Sequence, residues 1–243
     1  MVDDTAKVSR VEPLYRIFVA VPRRYDLINH VITCGFDKRW RRQAARECLA
    51  SPPGRMLDLC CGTGDLAISI VRLAENNVEL TGNDYSQPML KIAVKKSKSL
   101  VGRGRIIFTD GDAANLPFPE GHFDCVGISF AFRNLTYQNP LARRHLDEVL
   151  RVLSTGGRFV IVETSQPKSK LLRELYHLYL RQLVFRLGYL LSANRVAYHY
   201  LAESAARFYT AEEVEEMLVA AGFRQVSCRR LFFGAVAIHV AVK

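Results

Sequence analysis

The chain has 243 residues, 49% of them hydrophobic, which is enough for one globular domain with a sizeable core. No apolar run opens the sequence, and no segment reaches the eighteen or so uncharged apolar residues of a membrane span, which argues against a signal peptide and a transmembrane helix. The six cysteines form no CxxC pair or metal-ligand spacing, so we expect a reducing cytoplasm and no metal site. The net charge of +10 predicts an anionic partner, either nucleic acid or the headgroups of a membrane.

The N-terminal part of the chain reads as helical. Helices are predicted over residues 14–21, 25–33 and 37–49. The SPPG sequence at 51–54 breaks the pattern and closes this N-terminal helical appendage, which we take as residues 1–50.

Short apolar runs then alternate with amphipathic stretches. The predicted strands are residues 55–60, 78–84, 105–112, 123–130 and 157–163, and the predicted helices between them are 65–75, 87–99 and 140–153. Strands separated by helices of this length form a parallel sheet with crossovers. The chain ends differently, with a helix at 211–223 and two strands, 224–231 and 235–242, joined by a link too short for a parallel crossover. The predicted fold is therefore α/β and Rossmann-like, a single domain (1–243) whose seven-stranded sheet is mostly parallel with its last strand antiparallel.

A glycine-rich turn, MLDLCCGTGDLA at residues 56–67, follows the first predicted strand. Gly62 and Gly64 fit the dinucleotide-binding fingerprint, but they fit a ligand without phosphates equally well. A diphosphate would lie on the first amides of the next helix, where Asp65 places a negative charge. Together with Asp58 before the turn, this charge favours a positively charged ligand such as S-adenosylmethionine.

Further polar residues stand where strands are predicted to end, which is where open α/β sheets bind ligands. Asp84 suits both ribose hydroxyls of this donor. Asp112, beside the backbone of Ala113, suits its adenine amino group. Thr63 and Ser129 are predicted to lie near its methionine end.

Eight motifs carry a family resemblance: YDLIN (25–29), GFDKRWRR (35–42), LDLCCGTGDLA (57–67), GNDYSQPML (82–90), GDAANLPFPEGHFD (111–124), ISFAFRNL (128–135), YHYLAES (198–204) and AGF…FGAVAIH (221–239). With them the chain resembles the ubiquinone/menaquinone biosynthesis C-methyltransferases over nearly its full length. The resemblance implies a class I methyltransferase fold with S-adenosylmethionine as methyl donor. It also implies donor contacts at Thr63, Asp84, Asp112, Ala113 and Ser129.

The implied reaction is methylation of a ring carbon on a reduced, prenylated demethylquinol, either demethylmenaquinol or its counterpart on the ubiquinol pathway. Such a reaction depends on positioning and on stabilisation of a phenolate. Arg133 is the candidate for stabilising the phenolate, and Asn134 for orienting the ring hydroxyl. The candidates for the base are Tyr198, His199, Tyr200, Glu203 and His239, of which Tyr198 and His199 are preferred.

A long insertion at residues 164–210 precedes the last predicted helix. Within it, residues 171–191 are predicted to form a helix whose apolar arc is wider than one packing face requires. We interpret the insertion as a lid that shelters a prenyl tail or rests on an anionic membrane surface. The expected location is therefore cytoplasmic and peripheral, at the inner face of the membrane. Whether the protein forms a homodimer is left open.

Three rival interpretations remain. An RNA methyltransferase is favoured by the charge alone, but the sequence after the fourth strand, SFAFRN, lacks the (N/D)PP(Y/F)-like loop of base-modifying enzymes. We therefore expect no nucleic-acid partner. The other two are a methyltransferase for another small-molecule or lipid acceptor, and a non-catalytic scaffold that binds the donor within a biosynthetic complex.

Overall fold

The computed structural model describes residues 25–50, 54–75, 78–100, 104–184, 186 and 195–243, so the predicted helix at 14–21 lies outside the described residues. The first two described helices are α1 (Tyr25–Ile32) and α2 (Phe36–Cys48). Both agree with the predicted helices to within one residue. Gly35 lies between them with a φ of 76°, a left-handed conformation that lets the chain turn into α2.

Seven strands form one sheet in the order β3-β2-β1-β4-β5-β7-β6. They are β1 (Arg55–Leu59), β2 (Glu79–Asp84), β3 (Arg105–Asp110), β4 (Phe123–Ser129), β5 (Leu153–Thr164), β6 (Arg224–Leu231) and β7 (Val236–Val242). The first five strands pair in parallel, whereas β7 is antiparallel to both of its neighbours. The predicted α/β fold with one reversed strand is confirmed.

Helices cover both faces of this sheet. They are α3 (Asp65–Leu73), α4 (Gln87–Ser97), α5 (Phe132–Thr136), α6 (Ala142–Val152) and α9 (Ala211–Ala221). Successive strand residues point to opposite faces, so Met56 packs with α2 and α3 while Leu57 packs with α6 and α9. The predicted appendage thus contributes α2 to the main core, where Ala44 and Ala45 are fully buried.

The insertion supplies a third apolar cluster. It contains α7 (Lys170–Tyr179), a π-helical turn (Leu180–Val184) and α8 (Arg195–Ala206). The π-helical turn and α8 pack against α1 through Ile28, Ile32 and Ala205, and the hydroxyl of Tyr179 in α7 donates to the Ile32 carbonyl. The helix predicted over 171–191 is therefore regular only as far as Tyr179, and residues 187–191 lie outside the described ranges. Across the described ranges, every helix is too short or too polar to cross a bilayer.

Candidate active site

The glycine turn connects β1 to α3 through left-handed backbone. Cys60, Gly62 and Gly64 have φ angles of 52°, 53° and 81°. A Cβ on Gly64 would approach the Cβ of Ala93 to 3.1 Å, so this position requires glycine for both conformation and space. A Cβ on Gly62 would meet nothing within 4 Å, so the backbone of Gly62 is open to a ligand.

A cavity of about 80 Å³ lies at this turn, and we call it the donor cavity. Five of the predicted donor-binding residues line it: Asp58, Gly62, Thr63, Asp84 and Ser129. Asp84 is buried at the end of β2, where its two carboxylate oxygens accept the N–H groups of Gly62 and Ser86, each at 2.8 Å. Asp84 thus fixes the turn as well as facing the cavity.

Asp58 is buried and only half satisfied. Its Oδ2 accepts the N–H of Ala67 at 2.9 Å, whereas Oδ1 has no hydrogen-bond partner among the described residues. Burial raises the pKa of Asp58 to about 8. The side chain therefore keeps one oxygen, Oδ1, available to a hydrogen-donating ligand.

The other acid of the turn, Asp65, is paired. Its carboxylate forms an ion pair with Lys96 and lies 4.0 Å from the guanidinium of Arg41. The negative charge predicted at this helix start is therefore present and is compensated by Lys96. Lys96 also pairs with Asp26 of α1 at 2.7 Å, and Asp26 accepts the hydroxyl of Thr63 at 2.7 Å. Helix α1 is thereby held over the glycine turn.

Asp112 and Ala113 lie beside the donor cavity and are not part of its wall. The carboxylate of Asp112 is exposed and accepts the N–H of Ala114 at 2.9 Å. Asp112 is close to Cys60, a residue of the cavity wall. Burial raises the pKa of the Cys60 thiol, and the charges of Asp84, Asp58 and Asp112 add to this effect. The contact between Asp112 and the adenine amino group of the donor stays a prediction.

Arg41 of α2 is a site residue that our sequence-based assignment missed. It is buried, its Nε donates to Ser129 Oγ at 3.0 Å, and its guanidinium lies 5.1 Å from the ring centre of Phe130. It also forms an ion pair with Asp37 at 2.5 Å. The signal was present in the GFDKRWRR motif, but we attributed those arginines to a surface charge cluster.

A second and larger cavity of about 440 Å³, which we call the apolar cavity, adjoins the donor cavity. Its wall comes from α1, α2, α7, the π-helical turn, α8 and the hairpin between β6 and β7, and includes Ile32, Trp40, Leu172, Leu175, Tyr176, Leu180, Leu201, Ala205, Phe232 and Phe233. Arg41, Phe130 and Asn134 line both cavities. Phe130 has a φ of 55°, which is unusual for a bulky side chain and marks a constrained junction.

Arg133 lies in the wall of the apolar cavity but carries no free charge. Its Nη1 forms an ion pair with buried Glu163 at 2.9 Å and donates to Thr164 Oγ1 at 3.0 Å. Its Nε donates to Ser204 Oγ at 3.1 Å. Nη2 has no hydrogen bond within the described part of the chain and is the nitrogen left for an acceptor oxygen.

The remaining predicted catalytic residues are separated by the structure. Asn134 lies at the junction of the cavities and accepts a hydrogen bond from the Tyr200 hydroxyl at 3.4 Å. His199 is exposed on α8 and is absent from both cavity walls as described. The side chain of Tyr198 lies outside the described residues. The structure therefore brings Tyr200, not His199, to the cavity.

Asp37 is the acidic residue in the described wall of the apolar cavity. Its carboxylate accepts hydrogen bonds from His30 Nδ1 at 2.7 Å, from the Thr33 hydroxyl at 2.9 Å and from Arg41 at 2.5 Å. Burial acts to raise the pKa of Asp37, but the Arg41 charge and the hydrogen bonds outweigh it, so the pKa lies below its usual value. An ionised carboxylate therefore lies in the wall of this mostly apolar cavity.

The sheet order, the reversed last strand and the glycine turn after β1 together define a class I methyltransferase. The similar solved structures include a SAM-dependent methyltransferase from Thermotoga maritima, described as a possible histamine N-methyltransferase. It has a TM-score of 0.62 and 21% sequence identity, covering 94% of this chain and 99% of that one. At this identity the likeness shows the fold.

Sequence comparison identifies the family. A demethylmenaquinone methyltransferase from Deinococcus radiodurans is 39% identical, covering 98% of this chain and 95% of its own length. One from Thermus thermophilus is 41% identical, covering 92% and 98%. The profile of the ubiE/COQ5 methyltransferase family matches residues 5–243, and the chain belongs to that family. This membership confirms the predicted methyltransferase and S-adenosylmethionine as its methyl donor.

Proposed function

We propose that this enzyme methylates a ring carbon of a reduced, prenylated quinone precursor, with demethylmenaquinol as the preferred acceptor. The observation that carries the proposal is the apolar cavity, which adjoins the donor cavity and has a volume of about 440 Å³. That volume is in the range of small-molecule sites, about 300–1,000 Å³. The relatives named demethylmenaquinone methyltransferase support the same acceptor.

The residues of the donor cavity fit S-adenosylmethionine. When bound, this donor supplies a methyl group activated by a sulfonium. The unpartnered Oδ1 of Asp58 suits the ammonium, and Asp84 suits the ribose hydroxyls. Arg41 is the basic residue in the described wall of this cavity, so it suits the methionine carboxylate. Lys96 and Asp26 are joined by an ion pair over the turn.

The acceptor is assigned to the apolar cavity, with its ring at the junction formed by Arg41, Phe130 and Asn134. An isoprenoid tail matches the leucine and aromatic side chains farther along the wall. A carbon nucleophile on the ring needs the loss of a phenolic proton, and we assign this proton to Asp37, the ionised carboxylate in the described wall. Arg133 and Asn134 then orient the acceptor oxygens, and most of the catalysis is positioning.

Exposed hydrophobic residues lie on two of the elements that build the apolar cavity, helix α7 and the β6–β7 hairpin, which supports contact with a membrane surface. Leu178 on α7 is 55% exposed, and Phe233 at the tip of the β6–β7 hairpin is 77% exposed. Phe232 and Phe233 both have positive φ angles, 45° and 56°, a conformation that is costly for aromatic residues and common at functional sites. Together with the net charge of +10, these residues suit an anionic bilayer from which a prenylated quinol enters the cavity.

The acceptor is tested by supplying radiolabelled S-adenosylmethionine with a membrane extract reduced by dithionite. We expect the label in a prenylated quinol, and none when the extract is left oxidised, because only the quinol ring is nucleophilic enough. Label in phospholipid or in RNA, or label that does not depend on the reductant, would contradict the proposal.

The membrane contact is tested by sedimentation with liposomes. Leu178→Glu should weaken binding to anionic liposomes, and high salt should release part of the wild-type protein. Val219→Glu is the matched control, because Val219 is 60% exposed on α9, a helix that contributes no residue to the described wall of the apolar cavity, whereas Leu178 lies on α7, which contributes several. Equal liposome binding by the two variants would mean that Leu178 does not contact the membrane.

A further inference from the structure

Three side chains with metal-ligand chemistry meet between α9 and the β6–β7 hairpin. A carboxylate oxygen of Glu215, the sulfur of Cys228 and a ring nitrogen of His239 all lie within 4.8 Å of one another. Cys228 and His239 face each other as paired residues on β6 and β7, and Glu215 reaches them from α9. None of the three belongs to the described wall of either cavity, so the methyl-transfer site does not account for them.

His239 has one ring nitrogen fixed and the other unused. Its Nε2 donates to the carbonyl oxygen of Ala211 at 3.1 Å, which leaves Nδ1 as the unprotonated nitrogen of the neutral ring. The residue is only 2% exposed, and Nδ1 has no hydrogen-bond partner among the described residues. A histidine that donates one N–H to a backbone carbonyl and keeps the other nitrogen free has the arrangement typical of a metal ligand.

The charges around the cluster leave Glu215 available. The neighbouring Glu212 is paired with Lys168 at 2.9 Å and with Arg230 at 2.5 Å. By contrast, Glu215 forms no ion pair with any residue that the structure describes. Cys228 is half-buried beside the Glu215 carboxylate.

We propose that Glu215, Cys228 and His239 bind a divalent cation of the zinc class. One sulfur, one imidazole nitrogen and one carboxylate oxygen, with a water as fourth ligand, form a tetrahedral set that suits Zn²⁺. Binding displaces the thiol proton to solvent. The ion would join α9 to the hairpin whose tip carries Phe232 and Phe233, so its role is structural and independent of the proposed acceptor.

The test begins with full-length protein stripped by a chelator and then given Co²⁺, whose spectrum reports its ligands. We expect a thiolate-to-cobalt charge-transfer band in the near ultraviolet and visible bands of tetrahedral intensity. After incubation with Zn²⁺ and desalting, the wild type should retain stoichiometric zinc and melt at a higher temperature than the stripped protein. Cys228→Ser and Glu215→Gln should each weaken zinc binding at least about tenfold.

Two controls match the chemistry of these ligands. Cys34→Ser removes an exposed cysteine and Glu216→Gln removes an exposed acid beside Glu215. Both should retain zinc like the wild type. Absence of the charge-transfer band in the wild type overturns the proposal and leaves a hydrogen-bonded thiol cluster, whether or not the variants fold. Equal loss of zinc in the controls also overturns it.

Discussion

The donor cavity and the apolar cavity meet at Arg41, Phe130 and Asn134, but they are built in different ways. Most of the donor cavity comes from short segments at the carboxyl ends of β1, β2 and β4, fixed by hydrogen bonds from backbone N–H groups to Asp58 and Asp84. The apolar cavity is assembled by packing between segments distant in the chain. The donor side is therefore set by local backbone geometry, whereas the acceptor side depends on how the lid helices and the hairpin come together.

The largest expected effect is a loss of stability when the buried ion pair between Arg133 and Glu163 is broken. Arg133→Met leaves Glu163 buried without its partner, so the free energy of unfolding should fall by about 3–5 kcal/mol. Arg133→Met/Glu163→Gln should recover much of this loss, because no unpaired charge remains. Chemical denaturation measures both, and Arg143→Met, which breaks an exposed pair with Asp147, should cost less than about 1 kcal/mol. If the free energy of unfolding falls only slightly in the Arg133 single variant, the Arg133–Glu163 pair does not stabilise the fold as proposed.

The next largest effect is expected on kcat, when Asp37 can no longer accept a proton from the acceptor. Asp37→Asn should lower kcat about a hundredfold, because the acceptor loses the carboxylate that takes its phenolic proton. A halogenated quinol with a more acidic hydroxyl should recover part of the rate, since it ionises without help. Steady-state assays of both substrates supply the comparison. If Asp37→Asn lowers kcat by the same factor for both substrates, Asp37 does not accept the proton and only positions Arg41.

On the donor side, Asp84→Asn should weaken binding of S-adenosylhomocysteine by about 2 kcal/mol, the size of a lost charge-assisted hydrogen bond. Calorimetry measures the affinity. Asp110→Asn, an exposed acid at the end of neighbouring β3, should bind as the wild type does. Equal affinity in the Asp84 variant and the control would remove Asp84 from the donor site.

A pH-dependent effect is expected from Asp58. Its pKa in the folded protein, about 8, lies above that of an unfolded aspartate, so the folded state holds a proton that the unfolded chain has released between these values. The free energy of unfolding should therefore fall as pH rises from 5 to 8, by about 1 kcal/mol per pH unit. Asp58→Asn should lack this contribution. Parallel pH profiles for the two proteins would contradict the raised pKa.

The same contrast explains what could be predicted from the sequence. Alternating apolar runs and the Gly62–Gly64 spacing are local signals, so the strands, the turn and the reversed β7 were predicted within a few residues. The compensation of Asp65 by Lys96, which is distant in sequence, and the raised pKa of the buried Asp58 were not predicted. Burial and long-range pairing are tertiary properties that the local pattern does not contain.

The acceptor side shows the same limit more strongly. One position along α8 separates exposed His199 from Tyr200 in the cavity wall, and the sequence does not reveal the rotation of that helix. Arg41 looked like one basic residue among several, because only the folded chain places it between Ser129 and Asp37. The Arg133–Glu163 pair likewise forms across a strand end that no spacing rule identifies.

Photoaffinity labelling can show whether the prenylated acceptor occupies the apolar cavity. A demethylmenaquinol carrying a diazirine on its prenyl tail is bound with S-adenosylhomocysteine, irradiated, and the labelled peptides are identified by mass spectrometry. We expect labelling of α7, at residues such as Leu172 and Leu175, and loss of the label when natural quinol competes. Labelling confined to the glycine turn, or spread over surfaces remote from this cavity, would contradict this expectation.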